Sequence, residues 1–194
     1  MNAPGASIVH HPAEVELFED TLTCDVSLPA VFEPGSGAIR AGAAEMLLRS
    51  VALVEDSRGT DDSDERGAEG SQQLARLEAR MDLALVLLGR LLRQSTQALP
   101  LRPVRWSRRG LRLELGQRTG AVQGSAGIVR LQPADWLPDH IELPVQVLGE
   151  AASGNGGLYL WLRLQSTGDA LDTALERHLF RLHRRQVADS RRPR

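Results

Sequence analysis

Val104-Arg-Trp-Ser-Arg-Arg-Gly-Leu-Arg-Leu113, continued by Glu114 and Leu115, is the stretch whose reading decides the fold. Val104 and Trp106 flank Arg105, and Leu111, Leu113 and Leu115 alternate with Arg112 and Glu114. A period of two puts one set of side chains on each face of an extended chain, so both halves read as strands with one buried side. Ser107, Arg108, Arg109 and Gly110 separate them as a bend.

Working toward the C-terminus, the same period returns at Ile128 to Leu131, at Ile141, Leu143, Val145 and Val147, and at Leu158, Leu160, Leu162 and Leu164. Pro133, Pro138 and the cluster Gly154, Asn155, Gly156, Gly157 punctuate these runs. Short alternating strands at this spacing predict a small antiparallel barrel or sandwich, the closed form being favoured because it hides strand edges. A last helix is expected from Asp169 to Val187, with Leu171, Leu175, Leu179 and Leu182 as its buried stripe. Its acids Asp169 and Asp172 stand near the N-terminal end and Arg181, Arg184 and Arg185 near the other, as the helix dipole prefers.

Working toward the N-terminus, Leu22, Cys24, Val26 and Leu28 alternate as a further strand, followed by a turn at Pro34, Gly35 and Ser36. Between Gly37 and Glu55, Ile39, Ala43, Met46, Leu47, Ser50, Val51 and Val54 recur at helical spacing and predict a packed stripe. The acids Asp61, Asp62, Asp64, Glu65 and Glu69, set among three glycines, predict a solvated linker. Leu74, Leu77, Met81, Ala84, Leu88 and Leu91 then follow the 3-4-3-4 spacing of a coiled-coil seam. Leu83, Leu85, Val86, Leu87 and Leu92 lie off that seam, so mid-helix is apolar nearly all round and must be covered on several sides. A homo-oligomer is expected, a tetramer in preference to a trimer or dimer; a core helix of a monomer is the plainer alternative.

The 194-residue chain has a formal net charge of -2, so no global attraction to nucleic acid or anionic lipid follows, and neither partner is expected. All 23 basic residues are arginine. The lone Cys24 forms no internal disulfide and suits a reducing compartment. Met1 to Pro12 has neither a basic n-region nor an apolar run, and Leu83 to Gly89 is far short of the roughly 20 apolar residues that cross a bilayer. A soluble, cytoplasmic protein without membrane insertion is expected.

Taken together with the strands and the helix ending His183-Arg-Arg-Gln186, the stretch Val104 to Leu113 resembles the PilZ domain, over about Leu101 to Val187. The helices before it resemble the N-terminal extension of an atypical, degenerate branch. The family pattern is Asp or Asn, any residue, Ser, two residues, Gly, opening a six-strand barrel. Ser107 and Gly110 hold the Ser and Gly places, while Arg105 stands where the acid or amide belongs. The resemblance implies cyclic di-GMP as the family ligand, gripped by an Arg-x-x-x-Arg segment just before the barrel. Here Arg102 and Arg105 have the wrong spacing, and Arg76 and Arg80 fall on the heptad helix. Arginine donates and does not accept, so it cannot replace a carboxylate at a guanine edge. Cyclic di-GMP is therefore not expected to bind, and no cofactor is expected.

These readings give an α+β chain, mainly β: a six-strand antiparallel PilZ-like barrel, a C-terminal helix, and an N-terminal helical extension with a coiled-coil oligomerisation helix. The expected divisions are 1–71, a strand and helix segment with the acidic linker; 72–99, the heptad helix; 100–187, the barrel with its C-terminal helix; and 188–194, a basic tail. No catalytic or metal constellation is found. His178 and His183 are five apart on one helix, and Gln123 to Gly127 is a near miss to a nucleophile elbow without its sheet. The function expected is that of a non-enzymatic adaptor whose partner is an unidentified bacterial signalling or pilus protein, as the resemblance implies. Two alternatives stay open: a true cyclic di-GMP receptor using Arg105, Ser107, Arg108, Arg109 and Gly110, and an RNA-binding barrel using the same arginines. In the bland reading those arginines are the solvated face of a strand pair.

Overall fold

The structure, a computed structural model, describes residues 11–37, 39, 41–58, 77, 81, 98–134, 136–137 and 139–190. Helix α1 spans Pro12–Phe18, strand β1 Thr23–Pro34 and helix α2 Ala41–Arg58. Strands β2 (Leu101–Ser107), β3 (Gly110–Leu115), β4 (Ala126–Leu131), β5 (Ile141–Ala152) and β6 (Leu158–Leu164) follow, and helix α3 (Asp169–Ser190) is the last described element.

The six strands close into an antiparallel barrel in the order β1-β2-β3-β6-β5-β4, β4 returning to β1. The sixth strand comes from the N-terminal segment. Cys24 faces Trp106 on β2, and Phe32 faces Val129 on β4. The barrel thus draws β1 from the segment set apart as 1–71 and five strands from 100–187, because only a strand between β2 and β4 removes both sheet edges. The observed β1 is also longer than the alternating run that announced it. Pro29 and Pro34 break the hydropathy pattern but not the pairing.

Inward-facing Cys24, Val104, Trp106, Leu111, Leu113, Val129, Leu131, Leu143, Val145, Leu160 and Leu162 fill the barrel and are essentially inaccessible to solvent. The expected stripe of α3 is buried, and it joins the same core with Ala44 and Leu48 of α2. The face assigned to α2 from sequence holds at the buried Val51 and at Leu47, which packs against the core, and is corrected elsewhere. Ala44, Leu48 and Val51 are buried, whereas Ala43, Met46 and Ser50 are exposed. Apolar residues encircle much of this helix, so periodicity alone did not select the side that meets α3. An ion pair between Glu55 and Arg185 joins α2 to α3.

Leu77 and Met81 are helical and exposed by 55% and 59% in the single chain. Leu74, Ala84, Leu88 and Leu91 of the seam lie outside the described residues, as does most of the acidic linker. Among the described residues no helix is long and apolar enough to cross a membrane.

One core residue ties stability to pH. His178 of α3 is 1% exposed and lies tilted against Trp106, ring centroids 5.7 Å apart. Burial, then the charges of Arg185 and Arg181, lower its pKa from 6.5 to about 4, against an opposing contribution from the Pro133 carbonyl. The unfolded chain therefore takes up this proton below pH 6.5, while the folded chain does so only near pH 4. Stability is expected to fall by about 3 kcal/mol as the pH drops through that window. A His178→Phe variant should lose this dependence in urea denaturation between pH 7 and 4.5; an unchanged slope would show that other groups set it.

Candidate functional site

The motif residues stand on the outer wall of the barrel, where the strand register builds one continuous row. Asp25 on β1 faces Arg105 on β2, Arg105 faces Arg112 on β3, Arg112 faces Trp161 on β6, and Trp161 faces Gly149 on β5. Two arginines directly opposite each other repel. The repulsion is offset by Asp25, 3.5 Å from Arg105 Nε, and by Glu14 of α1, which lies across the row.

Glu14 is the centre of the arrangement. Its Oε1 accepts from Arg112 Nη1 at 2.5 Å and from the Trp161 indole Nε1 at 2.9 Å. Its Oε2 accepts from Arg105 Nη1 at 3.4 Å. Arg112 also stacks over Tyr159 at 4.3 Å, and Arg105 lies over Phe18 at 5.4 Å. The His11 ring stacks on Trp161 with centroids 4.2 Å apart and planes 8° from parallel. Gly149 makes the room: a Cβ there would come within 2.9 Å of the His11 ring.

Ser107 and Gly110 serve the same helix. Ser107 is inaccessible to solvent and donates its single hydroxyl proton to the Leu17 carbonyl at 2.6 Å. It accepts from the Arg109 and Gly110 amides at 3.1 and 3.3 Å, which shapes the bend. Leu17, fully buried with Ala13 and Trp161, forms a small apolar cluster outside the barrel core. Arg109 Nη1 donates to the carbonyls of Glu16 and Glu19 at 3.1 and 3.0 Å, satisfying the end of α1 as cationic side chains do at helix C-termini. Arg163 pairs with Glu16 at 2.5 Å. Arg108 instead reaches Glu176 of α3 at 3.3 Å, both more than half exposed, a pair of little energetic weight.

The structure thus brings together four of the five sequence-expected residues, Arg105, Ser107, Arg109 and Gly110, under α1, and turns Arg108 away. The bland reading of a solvated strand face is corrected, since Arg105, Arg109 and Arg112 all contact groups of α1. His11 Nδ1 caps α1 by accepting from the Ala13 amide at 3.2 Å. Sequence reasoning missed α1 with its Glu14, Glu16 and Leu17. The signals present were Pro12 at the first helical position, an acid in the first turn, and Ala13 and Leu17 four apart.

Beside Glu14, Arg105, Arg112 and Tyr159 border a shallow cavity of about 240 Å³, whose rim carries Asp25 and Glu114. Its guanidinium groups face carboxylates of the chain itself. Cys24, one residue inward, donates its thiol to the Leu179 carbonyl at 3.3 Å, and burial first, then Asp25, push it up to about 11. That thiol is a core group and not a nucleophile.

The pattern of the family described as "Atypical PilZ domain, cyclic di-GMP receptor" matches residues 48–192. Helix α1 and strand β1 precede the matched part. No curated protein matches. Among solved structures, a pathogenic protein from Xanthomonas campestris, described as a tetrameric PilZ domain self-assembled via an unusual helical bundle, is similar at 47% identity and a TM-score of 0.78. The similarity covers 91% of this chain and 96% of that one. With the six-strand barrel, the Ser107 and Gly110 bend and a family pattern over most of the length in agreement, this chain belongs to the atypical PilZ domain family.

Proposed function

We propose that the chain is a non-enzymatic, cytoplasmic PilZ-type adaptor that forms a tetramer through the helix at 72–99, does not bind cyclic di-GMP, and acts through protein partners in bacterial type IV pilus, motility or virulence control. The observation carrying the ligand part of this reading is the state of the motif side chains. Ser107 has committed its proton to Leu17, Arg109 is held by α1, and Arg105 lies between two carboxylates. A dinucleotide would have to displace α1 and still lack the acceptor that Arg105 replaces.

Assembly is supported by the heptad spacing, by the exposure of Leu77 and Met81 in the single chain, and by the tetrameric Xanthomonas relative. Repeating one docking surface on four copies raises avidity without any new contact. Titration calorimetry with cyclic di-GMP, combined with light scattering on the same sample, tests both parts. No heat and a mass of four chains are expected. Micromolar binding would replace the adaptor with a receptor, and a single-chain mass would remove the assembly.

A further inference from the structure

We propose that α1 is a displaceable internal ligand, and that the barrel face it covers is a docking surface for a short acidic helix of a partner protein. The partner's chemistry is read from the occupant. Between His11 and Asp20 the chain carries Glu14, Glu16, Glu19 and Asp20 and no arginine. The face beneath carries Arg105, Arg109, Arg112 and Arg163 together with the Trp161 indole. A helix presenting a glutamate on the Arg105 and Arg112 side and a leucine three residues later reproduces the contacts of Glu14 and Leu17.

Displacement is supported by how α1 is held. Seven residues are too few for a helix to persist alone in water, so the docked face supplies its order. Only Ala13 and Leu17 of the helix are buried, in a cluster separate from the barrel core, so its removal leaves that core intact. The remaining hold combines partly exposed ion pairs, which salt weakens, with the Ser107, Arg109 and Trp161 hydrogen bonds and the His11 stack. Asp20, between α1 and β1, has φ +52°, the one positive φ at a non-glycine among the described residues. It supplies a pivot between helix and barrel, a conformation aspartate tolerates better than most residues. Tethering gives α1 an effective concentration on the order of 1 mM, so a partner segment with the same contacts competes poorly and one with additional contacts prevails. This proposal rests on the adaptor reading for the statement that the competitor is a protein.

The test uses the full chain and a fluorescein-labelled peptide of residues His11 to Asp20. Two variants release α1 by different means. Glu14→Arg places a third cation beside Arg105 and Arg112, and Leu17→Arg puts a charge into the small apolar cluster with Ala13 and Trp161, both changes leaving the barrel face itself unaltered. Fluorescence anisotropy should show both variants binding the peptide at least about tenfold more tightly than the wild type, which tethered α1 already occupies. Raising salt to about 0.5 M should weaken that binding severalfold, and a peptide with glutamine at positions 14 and 16 should not bind. Failure of both variants to take up the peptide overturns the inference. So does wild-type hydrogen exchange in which residues 13–19 are as protected as the barrel strands. Neither result bears on mass or cyclic di-GMP heat, so the adaptor reading stands or falls separately.

Discussion

Gly110→Ala is expected to destabilise the protein by about 3 kcal/mol, a large share of the stability of a marginally stable domain. A Cβ at this position would lie 2.2 Å from the Leu162 carbonyl oxygen and 2.8 Å from Leu17 Cδ2. The first neighbour is backbone of the adjoining strand β6, paired at Gly110 with Arg163, and cannot rotate aside. Relief requires separating β3 from β6, which costs ladder hydrogen bonds, or expelling Leu17 and with it α1. Gly42→Ala is the contrasting change, since a Cβ there meets nothing within 4 Å and alanine favours its helix. Urea denaturation of the two variants should move in opposite directions. A Gly110→Ala protein with an unchanged midpoint would mean that the hairpin adjusts freely. The glycine of the motif therefore has an architectural reason, close passage of two strands, that holds whether or not a ligand binds.

The double substitution Leu77→Asp and Leu88→Asp should convert the proposed tetramer to single chains while the barrel remains folded. Both leucines belong to the 3-4-3-4 seam, and Leu77, more than half exposed in the isolated chain, is covered by another copy in the proposed assembly. An unpaired carboxylate in an apolar seam costs several kcal/mol, and symmetry repeats each charge in every subunit, adding like-charge repulsion. Sedimentation equilibrium should show a fourfold drop in mass with an unchanged far-ultraviolet β signature. Retained oligomers would place the contact elsewhere, for instance on the exposed Met46 and Leu53 of α2. Loss of the β signature would show instead that this helix supports the barrel.

The three largest differences between the expected and the observed arrangement share one cause: each depends on residues far apart in the chain. Helix α1 was missed because its two buried residues are too few for a periodic signal and its stabilising partners lie 90 to 147 residues away. The α2 face was misjudged because the apolar residues of that helix leave several stripes equally plausible until α3 selects one. Trp161 falls between Leu160 and Leu162, on the face that alternation leaves to solvent. It points outward and is nevertheless fully buried, because α1 covers it.

What the sequence by itself determined was local and periodic: the strand pairs on either side of Ser107 to Gly110, the glycine turn before β6, and the leucine stripe of α3. Those elements follow from side-chain alternation, helical repeat and turn chemistry, which neighbouring residues encode. What only the tertiary structure decided was the closure of the barrel by β1 and the row from Asp25 through Arg105, Arg112 and Trp161 to Gly149, which no sequence spacing links. Cross-strand register sets that row. The surplus of positive charge it concentrates at Arg105 and Arg112 is the physical reason the acidic α1 settles against the motif residues that the family resemblance associates with a nucleotide.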